Sequence, residues 1–253
     1  NNNVMEQTKQ QFPTEEVTLP SKGLLYPKES PLSKGVIEMK YMTAREEDIL
    51  TNQNLIENGT VIDKLLQSLI ITPIDYNDLL VGDKNAILIA ARILGYGAEY
   101  IFEHNRIEHT VNLTEVNDKQ FDETLMSEGK NHFHFTLPTS KTEITFKFLT
   151  HRDENAIANE IKGLKRLNKQ TSKDLSTRMK HLITSINGDS EKQTIREFVD
   201  NQLLAIDSRA LRNYVVEIQP DINLNFEYED KNGDFVDIPI PIGINFFWPD
   251  AGI

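Results

Sequence analysis

The chain has 253 residues and no cysteine. That excludes a disulfide framework, a thiolate nucleophile and a cysteine-ligated zinc site. Tryptophan occurs once, as Trp248, and no apolar run approaches the roughly 20 residues that cross a bilayer. Basic residues are also scarce: 27 Lys and Arg stand against 39 Asp and Glu, a formal charge of -12. Such a balance repels nucleic acid and anionic lipid, so neither nucleic acid nor membrane is expected as a partner and other proteins are. The polar opening Asn1 to Gln11 lacks the apolar stretch of a secretion signal and reads as a disordered tail over residues 1–16. A soluble, intracellular protein is the expectation.

The stretch that organises the rest is Leu79 to Gly97. Asp83 stands where a helix N-cap belongs, Ile87, Leu88, Ala91 and Leu94 recur at helical spacing, and Gly95 and Gly97 can end the helix. Ala86 to Ala91 is apolar on nearly every side, which predicts a helix surrounded by protein.

Around it the periodicity alternates. Ile37, Met39 and Tyr41 predict a half-buried strand, and Thr43-Ala44-Arg45-Glu46 is a capping-box pattern that opens a helix to about Asn52. Val61, Leu65, Leu66, Leu69 and Ile70 form a helical face closed by Thr72-Pro73. Strands are predicted at Tyr100–Phe102 and His109–Leu113 about an Asn105-Arg106 turn, and again where Phe133, Phe135 and Leu137 face Ile144, Phe146 and Phe148. From Thr150 the period is helical through Ala156, Ile157, Ile161 and Leu164. A second helical face is read at Met179, Leu182, Ile183 and Ile186, and a third, capped by Asp189 or Ser190, at Ile195, Phe198 and Val199. A last helix runs from Asp207 through Leu211, Tyr214, Val215 and Ile218 to Pro220, before a hairpin over Leu224–Tyr228 and Phe235–Ile240. The fold class is therefore α+β, strand hairpins set between groups of helices with a central buried helix. The expected organisation is a tail at 1–16, an α+β region at 17–149 and a helical region at 150–253 that ends in a hairpin and an aromatic segment.

Catalytic motifs are missing. Gly95-Tyr96-Gly97 ends a helix instead of opening one, so it lacks the context of a dinucleotide fingerprint, and no Gly-x-Ser-x-Gly elbow occurs. Glu46-Glu47 and Asp153-Glu154 fall in first turns of predicted helices, where the dipole favours carboxylates. His132 and His134 share a strand face and His104 and His109 flank a turn, but no helical histidine pair completes a metal set, and surface histidines are the expectation. No catalytic residue, no cofactor and no metal are expected. Lys162, Lys165, Arg166 and Lys169 make a basic stretch in an acidic chain, continued by Lys173, Arg178 and Lys180. Its leucines, Leu164 and Leu167, are not the stacking aromatics of a nucleic-acid surface, so it reads as a solvated helix face and a candidate partner contact.

The blocks Val17 to Gly23 with Tyr26-Pro27, Met42 to Leu50, Leu80 to Lys84 with Ala90 to Ile93, Arg196 to Asp200, Asp207 to Arg212, and Ile240 to Pro249 stand in an order that resembles one family, the baseplate hub assembly proteins of T-even-type contractile-tailed bacteriophages. The resemblance spans most of residues 17–250. It implies a non-enzymatic assembly factor, a chaperone or scaffold that binds baseplate hub or tape-measure proteins in the host bacterial cytoplasm. The alternatives are a permanent subunit of the virion baseplate and a hub-associated cell-wall hydrolase. The family also implies Cys-x-x-Cys pairs in hairpins like those at 100–113 and 224–240, as in zinc ribbons. Here the turns read His104-Asn105-Arg106 and Asp230-Lys231-Asn232-Gly233, which removes the thiolate ligands.

Phe246, Phe247 and Trp248 complete the partner-binding candidates. A dense aromatic cluster is expected to fold back as an edge strand, burying Phe246 and Trp248 on one face and leaving Phe247 for a partner.

Overall fold

The computed structural model describes residues 13–170 and 173–247. Strand β1 (Thr14–Thr18) pairs antiparallel with β2 (Val36–Lys40), and β2 is followed by helices α1 (Ala44–Leu50), α2 (Gln53–Glu57) and α3 (Val61–Leu69). Thr43 and Glu46 form the capping box that the sequence predicts. Glu46 does more than cap, because it is fully buried and also meets Lys40 Nζ at 2.5 Å and the Ser68 hydroxyl at 3.0 Å. It ties β2, α1 and α3 together.

Helix α4 (Val81–Tyr96) is the core element, with Ile87, Leu88, Ile89 and Ala91 all buried. It begins two residues before Asp83, so Asp83 is not its N-cap; Leu80 is. Pairing of the preceding chain with residues 149–151 sets that start: Val81 N–H donates to the Leu149 carbonyl and His151 N–H to that of Leu79. Asp83 is thereby freed to face the loop of residues 19–26, where it accepts hydrogen bonds from Ser21 N–H, the Ser21 hydroxyl and the Tyr26 hydroxyl. Gly95 lies inside the helix, and Gly97, with φ +86°, ends it. At the other end Gly82 is the close-approach residue: a Cβ there would sit 2.0 Å from the Pro220 carbonyl oxygen.

Beyond α4, β3 (Glu99–His104) and β4 (Ile107–Asn112) form a hairpin through Asn105 and Arg106, both left-handed, as a two-residue type I′ turn requires. A second hairpin joins β5 (Phe133–Thr136) to β6 (Glu143–Phe146), after which come α5 (His151–Leu167) and α6 (Asp174–Leu182). The helical face expected through Ile183 and Ile186 is broken at Leu182: residues Ile183–Ile186 are strand β7, paired antiparallel with β6. Apolar residues at 179, 182, 183 and 186 fit either a helix or a short buried strand, and the open hydrogen-bonding edge of β6 decides for the strand. This pairing crosses the boundary drawn at residue 150.

Helices α7 (Lys192–Asn201) and α8 (Ala205–Ile218) follow, then the hairpin β8 (Asn225–Glu229) and β9 (Phe235–Pro239). Glu191 is the N-cap of α7, while the Asp189 carboxylate accepts from Glu191 N–H and the Thr194 hydroxyl. Asp207, in the first turn of α8, is buried and accepts the amides of Thr139 and Ser140, so it pins the loop between β5 and β6. The β3–β4 and β8–β9 hairpins pack against each other through Phe102, His109, Phe226 and Tyr228. His109 is therefore a buried ring in an aromatic cluster, not the surface histidine expected.

The described chain closes with the single turn α9 (Ile244–Phe247), a helical turn where an edge strand was expected. Phe246 and Phe247 are both fully buried. Phe246 meets Tyr100 edge-on, and both rings approach the Arg92 guanidinium at 5.8 Å. Arg92 in turn donates to the carbonyls of Gly97 and Glu99, anchoring the end of α4 to β3.

Candidate interaction surface

The candidates of the basic stretch sit on α5 and just beyond it. This helix starts with a capping box in which Thr150 and Asp153 bond reciprocally, and Lys147 adds an ion pair to Asp153 at 2.8 Å. Its first half packs inward through His151 and Ile157. Its second half keeps Ile161 and Leu164 half-buried and exposes the opposite face, with Leu167 at 87 % exposure. Lys165 and Arg166 fall in the last turn, where the helix dipole favours cations.

The basic run divides in two. Arg178 holds Glu154 through both guanidinium nitrogens at 2.7 and 3.2 Å, and Lys180 holds Asp200 at 2.7 Å, so these cations are structural. Lys162, Lys165, Arg166 and Lys169 are exposed and form no ion pair among the described residues. Together with Ala158 and Ile161 they line one shallow, open depression of about 560 Å³. Four free cations around an apolar strip present the chemistry that an acidic, partly apolar protein surface complements.

Phe246 and Phe247 do not join this surface. Their burial against Tyr100 and Arg92 makes them core, and the expectation that Phe247 is open to a partner is overturned for that reason. Trp248 lies outside the described residues.

A second polar assembly has no signature in the sequence, because its members come from four separate segments. Asp63 on α3 accepts from the Tyr76 hydroxyl at 2.7 Å and pairs with Lys84 Nζ on α4 at 2.9 Å. Lys84 Nζ also stands 3.1 Å from His151 Nδ1, and the Asn155 amide 3.1 Å from His151 Nε2. Burial and then the Lys84 charge push the imidazole below its usual range. Burial would raise the Asp63 carboxyl, but the Tyr76 and Lys84 hydrogen bonds outweigh it and hold the group below the ordinary carboxylate value. The same burial, with Asp63 adjacent, raises the Tyr76 hydroxyl. These groups cross-link α3, α4 and α5. Among the described residues no group of three or more His, Cys, Asp or Glu is arranged to hold a metal ion, and His132 and His134 only stack edge to face at 5.1 Å.

The fold is thus α+β, with small antiparallel hairpin sheets set between helices. No helix among the described residues is long and apolar enough to cross a membrane. Comparison of the chain with protein-family models, with curated proteins and with solved structures finds no match in any of the three.

Proposed function

We propose that this chain is a non-enzymatic assembly factor of a phage tail baseplate hub, acting in the host bacterial cytoplasm by binding hub or tape-measure proteins. The ordered sequence blocks between residues 17 and 250 support the family. The observation that carries a binding role is the row Lys162, Lys165, Arg166 and Lys169 beside Ile161, four cations without ion pairs among the described residues, three on the second half of α5 and one just beyond its end. In a chain of net charge -12 such a row draws an acidic partner to one place and repels it elsewhere. The other conspicuous charged cluster, around Asp63 and Lys84, has its hydrogen-bonding capacity turned inward, which supports binding over catalysis.

The test is capture by the tagged chain from cells producing a contractile-tailed phage, with mass spectrometry of what is retained. Hub or tape-measure proteins should be recovered with the wild type and lost with Lys162→Glu/Lys165→Glu/Arg166→Glu. Recovery that survives charge reversal, or no enrichment of tail proteins, overturns the proposal. The second reading, a permanent baseplate subunit, requires the chain to appear in purified virions at the stoichiometry of other baseplate proteins.

A further inference from the structure

A different cleft, between α5, α6 and α8, contains a charge that no described residue answers. Its volume is about 430 Å³, and its apolar lining includes Leu149, Met179, Leu182 and Val215. Such a volume suits one or two large side chains of a ligand. The charged residues of its rim are Arg178, Glu154, Asp221 and Arg212. Three of these are engaged. Arg178 and Glu154 hold each other, and Asp221 Oδ1 accepts from Asn85 at 3.1 Å and from Ile222 N–H at 2.7 Å.

Arg212 is the exception. It is half-buried, its Nε is cut off from solvent without a hydrogen-bond acceptor, and its guanidinium forms no ion pair or hydrogen bond with any described residue. Nε is as closed to a ligand as to water, so a carboxylate entering the cleft can meet only the Nη groups of this half-buried guanidinium, whose planar fork matches it. One turn further along α8 stands Val216, also on the lip of the cleft and 65 % exposed. The apolar lining therefore runs out of the cleft onto open surface, past the unanswered cation.

We propose that this cleft is a docking site for an acidic-apolar peptide segment of a protein partner, with a leucine-type side chain in the pocket and a neighbouring carboxylate on Arg212. A peptide fits better than a free carboxylic acid because the apolar lip continues beyond the cleft through Val216, where a main chain can lie. The site is separate from the cation row of α5 and rests on the reading of the chain as a protein-binding factor only for its choice of a protein as the source.

The experiment follows the Arg212 Nε–H and the Val216 methyl signals by NMR while acetyl-Leu-Leu-Glu-Leu-amide is added to the full chain. Both sets should shift, and acetyl-Leu-Leu-Gln-Leu-amide should bind about ten-fold more weakly or worse, because it lacks the charge-assisted bond. Arg212→Gln should lose binding to the same degree and Arg212→Lys should keep part of it. Val216→Glu, at an exposed position, should block the site with a carboxylate of its own. No shift at millimolar peptide, equal binding of the glutamine peptide, or full binding by a folded Arg212→Gln variant overturns the proposal. Hexanoate binding as tightly as the peptide overturns the assignment to a protein segment. No phage protein enters this test, so peptide binding without hub capture would leave the cleft standing, and hub capture without peptide binding would leave the assembly factor standing.

Discussion

Tyr26 and Asp83 share one short hydrogen bond, 2.6 Å from hydroxyl to Oδ2, and the same phenolic oxygen accepts the Leu80 amide at 2.9 Å. A single buried hydroxyl thus couples the loop of residues 19–26 to the entry of the core helix. Tyr26→Phe keeps the ring, strands the Leu80 amide and removes one of the three donors to Asp83, so it should lower unfolding free energy by about 1–3 kcal/mol in urea titrations. Unchanged stability would show that water can replace the hydroxyl.

Glu46 and Asp83 should give opposite responses to pH. Burial acts to raise the Glu46 carboxyl, but bonds from Lys40, Thr43 and Ser68 prevail and take it from 4.5 down to about 2. Its contribution is present above its unfolded value near 4.5 and is lost as pH falls through about 2. Burial dominates at Asp83 and raises it despite the bonds from Ser21 and Tyr26. Its contribution is present below the ordinary carboxylate range and is lost as pH rises through the raised value. Denaturant unfolding between pH 2 and 7 should therefore show the stability gap between wild type and Glu46→Gln widening with pH by about 3 kcal/mol, and the gap to Asp83→Asn shrinking. Parallel profiles would contradict both assignments.

Gly82→Ala should destabilise by about 1–3 kcal/mol or more, since its methyl would lie inside contact distance of a backbone carbonyl that no rotamer change can move. Thermal melting reads this directly. A normal melting temperature would mean that the Pro220 segment does not seat on α4.

Phe247→Ala should cost about 3–5 kcal/mol, as expected of a fully buried ring, and the loss should appear in the isolated protein without any partner. A variant that melts normally yet loses partner capture would return Phe247 to the surface.

Local patterns were legible where local chemistry decides the structure. The Thr43–Glu46 box, the Asn105-Arg106 turn and the alternation at Phe133 and Ile144 each follow from a few adjacent residues. The helical start at Val81 was not legible, because a bridge between Leu80 and Thr150, 70 positions apart, sets it. The strand at Ile183–Ile186 likewise depends on an edge supplied by residues 143–146. Lys162 to Lys169 could be found as a charge run, but that Arg178 and Lys180 are already engaged while Arg212 is not is a matter of tertiary pairing, which spacing does not encode.

The β6–β7 pairing bears on how far the chain must extend before its strand edges are covered. A fragment ending near residue 170 holds both strands of the β5–β6 hairpin, yet it lacks residues 183–186 for the outer edge of β6 and residue 220 for the Gly82 seat. In such a fragment an apolar strand edge carrying Ile144 and Phe146 is open to any neighbouring chain. A released fragment that ends within α5 should therefore aggregate, whereas a chain that extends past Pro220 can close both contacts within the same molecule.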